Sequence, residues 1–546
     1  MKKFFYPELF NSLKNYNKSQ FTKDLFSGVI VGIVALPLAI AFAVASGVSP
    51  ERGLITAIIA GFLISFLGGS KVQIGGPTGA FVVIILGIIN QYGIDGLIIS
   101  TVLAGIFMIA FGLLKLGSLL KYIPHPLIVG FTSGIAVVIF TTQIPDALGM
   151  SITDLPSSFH LKWLCFFENI KEVNFWAVGI TVVTILISLF FNKLTNRIPG
   201  SFVAILVVTV AVMLLQLPVS TIETNFGEIS GNFTFTIPNF EFSNLKNYLS
   251  PALTIALLGA IESLLSAVVA DGMIGANHKS NTELIGQGIA NIITPFFGGI
   301  PATGAIARTA TNVKNGGRTP IAGIIHALTL LLIMLVFGKW AKLIPMSCLA
   351  GILIVVSYNM SGWRSFISIF KNSFFDIIVL LVTFLLTVFV DLTVAIQIGV
   401  VLSAILFMKR MADNGQSILK DKDTLIAENY SDIPKEISIY EINGPFFFGV
   451  AKSYSEILKS HKSSEAKILI IRMRQVPFID STGVTNFKEA LRYLQNKRTK
   501  IFLSGVQPNV RKELDKNKIS IIVGKGNIFD NFDQALAKAK EEIGVF

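Results

Sequence analysis

The sequence predicts an α-helical membrane protein of fourteen spans, arranged as two inverted seven-span repeats and followed by a small α/β domain. Three observations predict it. The 546 residues are 52% hydrophobic and 14% charged, with mean hydropathy +0.68, far from the composition of a soluble domain. Apolar segments close to the length that crosses a bilayer recur from Phe26 to Met408 and then stop. Inside that region, residues 72–80 and 298–313 interrupt the apolar pattern with glycine, proline and hydroxyl residues.

These observations divide the chain into a cytoplasmic N-terminal segment, 1–25, a membrane domain, 26–411, and a linker with a soluble domain, 412–546. The repeats occupy 26–217 and 251–408. The formal charge of +12 falls mainly at helix ends and in the tail, where the positive-inside rule places Lys and Arg, so the high pI does not indicate nucleic-acid binding. Cys165 and Cys348 are too few for a disulfide framework or a thiolate metal cluster, and no cofactor is expected. Lys2, Lys3, Lys14, Lys18 and Lys23 precede the first span without a cleavable signal pattern, which predicts a cytoplasmic N-terminus.

In the first repeat, 26–45 is a span bent at Pro37, and 53–67 is a second span after a turn at 49–52. Residues 72–80 form an extended stretch leading into a half-length helix that ends near Asn90. Spans at 97–114, 126–142, 175–191 and 201–217 follow, with Lys115, Lys121, Lys193 and Arg197 marking cytoplasmic connections. The connection 218–250, with Glu223, Glu228 and Glu241, suits the outer side. The second repeat reads as 251–270, 284–297, the interrupted 298–313, 321–337, 345–357, 375–390 and 392–408, which returns the tail to the cytoplasm. Asp271 and Asp391 fall near span ends, where solvation at the interface suffices for them.

The halves share a pattern. With an offset of 230, Leu54, Ile55, Ile59, Ala60, Phe66, Gly68 and Gly69 match identical residues in 284–299. After a five-residue adjustment, Thr78-Gly79-Ala80 meets Thr303-Gly304-Ala305. An odd number of spans per repeat inverts one half relative to the other, so both interrupted elements can aim helix N-termini at one midplane site. Unpaired N–H groups and the helix dipole favour an anion there.

Glu262 lies inside a span, where an unpaired carboxylate costs about 2.5–3.5 kcal/mol on insertion scales, so it must face protein or water. Ser266 follows one turn later. The carboxyl is a candidate proton carrier or, with Ser266 and freed carbonyls, a sodium ligand; the alternative is a structural hydrogen bond between helices. Arg308 is the basic side chain of the second interrupted element and supplies positive field to an anion, or else pairs with Glu262. Thr78 and Thr303 offer hydroxyls to an oxyanion or bond back to their own helices. Phe42 is a candidate pocket wall, while His125 and His326 read as helix-end or packing residues.

Residues 73–79 (Gln-Ile-Gly-Gly-Pro-Thr-Gly), 285–291 (Ile-Gly-Gln-Gly-Ile-Ala-Asn) and 298–312 resemble the bacterial SulP family, the sulfate-permease type of anion transporters and exchangers, over nearly the whole chain. The resemblance implies a core domain moving against a gate domain, a homodimer, and a cytoplasmic STAS domain. It places an anion site at the backbone around Thr78-Gly79 and Gly304-Ala305, with Ala35, Leu38 and Phe42 from the first span and Ala307 and Arg308 from the second half-helix. Glu262 resembles the family's acidic coupling position. Sodium-coupled bicarbonate members tend to carry Asp there and a further hydroxyl where this chain has Ile306, a departure that favours a proton.

In the tail, 437–442, 467–472, 500–504 and 519–523 read as strands alternating with helices at 451–460, 483–496 and 529–543. Residues 479–483 (Ile-Asp-Ser-Thr-Gly) resemble the STAS signature, which implies Thr482 as a phosphorylation site; helix capping by Asp480 or Ser481 is the other reading. The tail shows no catalytic constellation, and no Gly-rich Lys-Ser/Thr motif for ATP is present in the chain.

The expected function is secondary active transport, not enzymatic catalysis. Small oxyanions of the sulfate, bicarbonate or dicarboxylate class would move by proton symport in an elevator-like movement within the lipid membrane. Sodium-coupled bicarbonate transport or anion exchange is the alternative. A membrane-anchored STAS signalling protein that recruits a cytoplasmic partner, and a nucleobase carrier of the same architecture, are readings of other classes.

Overall fold

The computed structural model describes all residues except 1–4, 119–123, 153–155, 157, 195–199, 228–234, 239–244, 391, 414–415, 420–432, 461–466 and 545–546. Lys2, Lys3, Lys121, Arg197, Glu228, Glu241 and Asp391, given places above, lie outside the described residues. The chain forms two compact units, Met1–Val401 and Leu402–Phe546.

The first repeat begins with α1 (Lys18–Ala45) and α2 (Pro50–Leu67). Strand β1 (Gly75–Gly76) then leads into α3 (Gly79–Leu113), and α4 (His125–Thr142), α5 (Phe175–Leu194) and α6 (Gly200–Leu215) follow. Helix α3 is two segments joined at Gly93, whose φ of 68° places it in the left-handed region that glycine tolerates. The second repeat runs through α7 (Leu245–Ile274), α8 (Ser280–Ile293), β2 (Thr303–Gly304) and α9 (Ile306–Lys314). It continues with α10 (Ile321–Ala341), α11 (Met346–Met360), α12 (Phe374–Phe389) and α13 (Leu392–Asp413). Among the described residues, seven helical stretches are long and apolar enough to cross a membrane, and four shorter apolar helices accompany them.

Packing reveals the internal symmetry. Helix α10 lies on α1 and α2, just as α3 lies on α7 and α8. Likewise α12 packs on α4 as α5 packs on α11. The helices thus gather into one group made of α1–α3 and α7–α10 and another containing α4–α6, α11 and α12. Small residues permit close approaches: a Cβ on Gly28 would meet the Ala322 carbonyl at 2.5 Å, and one on Gly105 the Gly288 carbonyl at 2.5 Å. The buried core of this unit is built from Ala, Ile, Val and Leu of both halves.

The tail unit is a five-stranded sheet in the order β3-β4-β5-β6-β7. It contains β3 (Gln416–Leu419), β4 (Ile437–Asn443), α14 (Phe448–Ser460), β5 (Ile468–Gln475), α15 (Ser481–Asn496) and β6 (Lys500–Ser504). Helix α16 (Pro508–Lys516), β7 (Ile528–Phe529) and α17 (Phe532–Glu542) complete it. Strand β3 pairs antiparallel with β4, and the remaining pairs are parallel. Alternating side chains feed two cores, with Leu469, Ile471 and Leu503 on one face and Ile468, Ile470 and Phe502 on the other.

One expected strand is corrected. Residues Ile519–Val523 form a short helix, in which Ile519 and Val523 are buried while Ile521 is 67% exposed. The β-branched run suggested a strand, but the buried residues recur four apart, the helical spacing. The edge of the parallel sheet is instead β7, nine residues after Ile519 begins that helix.

Candidate functional site

The two interrupted stretches meet as a short antiparallel pair, Gly75 opposite Gly304 and Gly76 opposite Thr303. Backbone that leaves a helix at membrane depth must find partners other than lipid. Here side chains supply many of them, often from the other repeat.

The first stretch is held by residues distant in sequence. The Glu283 carboxylate accepts from the Gly69 and Ser70 amides at 2.7 and 3.0 Å. Asn312 Nδ2 donates to the Val72 carbonyl at 2.8 Å, and the Ile74 amide donates to Thr309 Oγ1 at 3.0 Å. The Ile74 carbonyl accepts from the Ala305 amide at 2.9 Å. Arg308 reaches back from α9 and donates through Nη2 to the Pro77 carbonyl.

The second stretch has its own set. Arg52 Nη1 donates to the Gly298 carbonyl at 3.1 Å, and Thr56 Oγ1 accepts from the Ile300 amide at 2.7 Å. Asn291 binds Ala302 twice, accepting from its N–H and donating to its C=O, both at 2.8 Å. Ser263 accepts from the Gly304 amide at 3.1 Å.

This framework sets two helix N-termini near one another, those of α3 and α9. Thr78 caps α3, its Oγ1 accepting from the Ala80 amide at 3.2 Å. The same hydroxyl donates to Glu262 Oε2 at 3.0 Å. Ala305 precedes α9 without a side-chain cap, and both Ile306 and Ala307 in its first turn are exposed. The early N–H groups of that turn have no acceptor within their own helix. Phe42 approaches the start of α3: a Cβ on Gly79 would lie 2.9 Å from Met360 Sδ, 3.2 Å from Phe42 Cε1 and 3.5 Å from Ile139 Cδ1. Residues from both helix groups therefore surround that N-terminus.

The expected site residues occupy different settings. Thr78 and Glu262 are half-buried and joined, whereas Thr303 is buried and donates to the Gly259 carbonyl at 2.8 Å. Gly304 is buried in the strand pair. Ala35 and Phe42 are buried, Leu38 is half-buried, and Ala305 closes the strand-to-helix turn. Arg308 is buried at 2% exposure and directed to Pro77, with no ion pair to Glu262 among the described contacts. Ser266 Oγ donates to Thr309 at 3.2 Å and makes no described hydrogen bond with Glu262. Thr482 is exposed at the start of α15, which Asp480 caps by accepting from the Gly483 amide at 2.7 Å.

Asp271 is not simply solvated: it accepts from the His278 amide at 2.8 Å and approaches His278 Nδ1 at 2.7 Å. Glu283, Asn291, Asn312 and Asp24 were not singled out from the sequence as organising residues. Asn291 carries the same signal as Glu262, a polar residue inside an apolar span, whereas Asp24 in 1–25, Glu283 just before 284–297 and Asn312 within 298–313 stand among other polar residues that mask them. A separate cavity of about 660 Å³, lined by Leu36, Ile40, Phe202, Val210 and Met334 among others, is too apolar to hold an anion.

Known proteins are similar to this chain. Residues 21–383 match the model for the sulfate permease family, and residues 430–535 match that for the STAS domain. "Putative sulfate transporter YvdB" of Bacillus subtilis is 40% identical, over 95% of this chain and 98% of that protein. "Bicarbonate transporter BicA" of Picosynechococcus sp. is 30% identical over 94% of each chain. Among solved structures, SLC26A9 has a TM-score of 0.87 at 18% identity, covering 98% of this chain and 93% of that one, which shows a shared fold. The transmembrane domain of a cyanobacterial BicA has a TM-score of 0.63 at 30% identity, covering 71% of this chain and 98% of that one. The relatives are transporters, and this chain, a multi-pass membrane protein with a C-terminal STAS domain, belongs to the sulfate permease family.

Proposed function

We propose that this chain is a secondary active transporter in which a small oxyanion binds between the starts of α3 and α9 and a proton on Glu262 accompanies it. The observation that carries this reading is the pairing of β1 with β2, which brings the two helix starts together and leaves the exposed first turn of α9 beside them. Backbone N–H groups and two helix dipoles favour a negative solute there, and Arg308 adds a buried cation behind them. The names of relatives, a putative sulfate transporter and a bicarbonate transporter, support sulfate and bicarbonate as candidate substrates, and small dicarboxylates share the same oxygen chemistry.

The group α1–α3 with α7–α10 carries the site and moves as a core against the gate helices, with Phe42 and Gly79 sliding past Ile139 and Met360. Ser266 engaged with Thr309, together with Ile306 in place of a hydroxyl, favours a proton over sodium. Homodimerisation, cytoplasmic termini, and fourteen membrane crossings belong to the same proposal. The STAS domain then faces the cytoplasm, where it can recruit a protein partner or be modified at Thr482.

Uptake by proteoliposomes tests the reading. With labelled sulfate, bicarbonate and oxalate offered separately, an inward proton gradient should drive accumulation of at least one, and a sodium gradient should not. Accumulation driven only by sodium establishes the alternative coupling, while uptake indifferent to both gradients removes symport. No uptake or binding of any small anion leaves the membrane-anchored signalling reading in its place.

A further inference from the structure

The Thr78 hydroxyl stands between the carboxyl proposed to carry the proton and the helix start proposed to hold the anion. It has one hydrogen and two lone pairs. One lone pair accepts from the Ala80 amide at 3.2 Å, and the hydrogen is directed to Glu262 Oε2 at 3.0 Å. An ionised carboxylate only accepts, so it must occupy that hydrogen. The remaining lone pair is then the part of the hydroxyl free to face a ligand, and it repels an anion.

A proton on Glu262 changes this valence pattern. The carboxylic O–H can donate to the free lone pair of Thr78, while the Ala80 amide keeps the other. The Thr78 hydrogen is thereby released and can turn to an oxyanion at the α3 start. We propose that Thr78 is a positioning relay: protonation of Glu262 converts its hydroxyl from an acceptor to a donor toward the anion site. The proton remains on Glu262 throughout, and Thr78 is reoriented without losing or gaining one.

The neighbouring charges are already engaged or distant in sequence. From α9, Arg308 is bonded to the Pro77 carbonyl; from α8, Glu283 is bonded to the Gly69 and Ser70 amides and Gln287. The first segment of α3, from Gly79 to Gln91, and strand β2 contain no Asp, Glu, Lys or Arg. Within α7 the other ionisable side chains are Lys246 and Asp271 near its ends and Tyr248 in its first turn. Glu262 therefore meets the helix start through a hydroxyl, not through an ion pair.

The inference rests on Glu262 being the proton carrier, and equilibrium binding separates the two claims. Purified full-length protein is titrated with sulfate, bicarbonate and oxalate between pH 5.5 and 8, values of about the range in which a buried carboxyl can change charge. Affinity for the bound anion should rise as pH falls, by at most about tenfold per pH unit for one linked proton. Bicarbonate concentrations are corrected for its own protonation.

Thr78→Val should weaken binding about tenfold at low pH, the loss of one charge-assisted hydrogen bond, and much less at high pH, where the hydroxyl already faces away. Thr78→Ser should retain the parent's pH profile. Glu262→Gln, whose amide can donate as the protonated acid does, should bind with the parent's low-pH affinity at every pH. An equal Thr78→Val penalty at both ends of the range overturns the relay, as does weakened, pH-independent binding in Glu262→Gln. Retention of the full pH dependence in Glu262→Gln overturns the proton assignment itself. Absence of binding by all three anions overturns the transport reading on which both depend. Should Thr78→Val fail to fold, loss of pH dependence with high affinity in Glu262→Gln supports the relay, and low affinity rejects it.

Discussion

At the residue scale, Arg308 shows how a charge can be both distant from solvent and essential to geometry. Its guanidinium crosses from α9 to the Pro77 carbonyl, immediately before the α3 start, and passes Gly76 so closely that a Cβ there would lie 2.4 Å from Nη1. Arg308→Lys keeps the charge but loses the planar fork that reaches this carbonyl. It should therefore weaken anion binding nearly as much as Arg308→Ala, at least about tenfold if one hydrogen bond to a charged group is lost. Isothermal titration with the transported anion measures both; full affinity in Arg308→Lys would show that charge alone suffices.

Asp24 makes a comparable case at the start of α1. It accepts from Gln20 at 3.0 Å, Tyr16 at 3.1 Å, the Arg318 amide at 2.9 Å and Thr319 Oγ1 at 2.6 Å. The bonds from Arg318 and Thr319 fasten α1 to the connection that follows α9. Asp24→Ala strands several donors, each costing about 1–3 kcal/mol if buried and unpaired, and should lower the unfolding midpoint in a thermal melt. An unchanged midpoint would mean that water replaces the carboxylate without loss.

At the scale of elements, the interrupted stretches are specified by side chains that replace helical hydrogen bonds. Gly76→Ala meets two penalties, a φ of 150° and the contact with Arg308. It should cost about 1–3 kcal/mol of stability and reduce uptake, read together by thermal melting and transport. In the tail, Asp480 both caps α15 and accepts from the Phe448 amide at 3.0 Å. Asp480→Ala should destabilise that unit by about 0.5–2 kcal/mol, with Asp480→Asn closer to the parent.

The sequence made the spans, the two interruptions and Glu262 legible because each departs visibly from a local period or from an apolar background. It did not show how the interruptions are satisfied. The bonds from Asn312 to Val72 and from Glu283 to Gly69 join residues more than two hundred positions apart, which no local pattern encodes. Nor could it resolve the short run at 519–523, where residue preference favoured a strand and burial of one helical face prevailed. Ser266 shares a helix with Glu262, but facing the same general direction did not decide its partner; Thr309 on α9 did.

At the scale of the whole molecule, each unit has, among the described residues, a hydrophobic core of its own. Unfolding should therefore show two transitions, with a saturating anion raising only that of the membrane unit. At a hundredfold excess over Kd the expected stabilisation is about 2.7 kcal/mol. Differential scanning calorimetry with sulfate, bicarbonate or oxalate checks this, and an anion-dependent shift of the tail transition would place binding there instead.

Acid should also affect the tail separately. The Ser520 hydroxyl, followed by Arg511, holds the Asp515 carboxyl below the usual carboxylate range. Its stabilisation is thus present above the unfolded-state pKa and is lost as pH falls through the lower folded-state value. Asp515→Asn should flatten that part of the tail's acid-stability curve, as followed by circular dichroism.

The cross-repeat bonds also impose an order of events during synthesis. When the ribosome has delivered the first seven segments, the backbone at 69–77 still lacks Glu283, Thr309, Arg308 and Asn312, all of which remain to be translated. A nascent first half must keep these polar groups hydrated or sheltered by the insertion machinery until the later residues arrive. Completion of the protein is therefore also completion of its earliest helices.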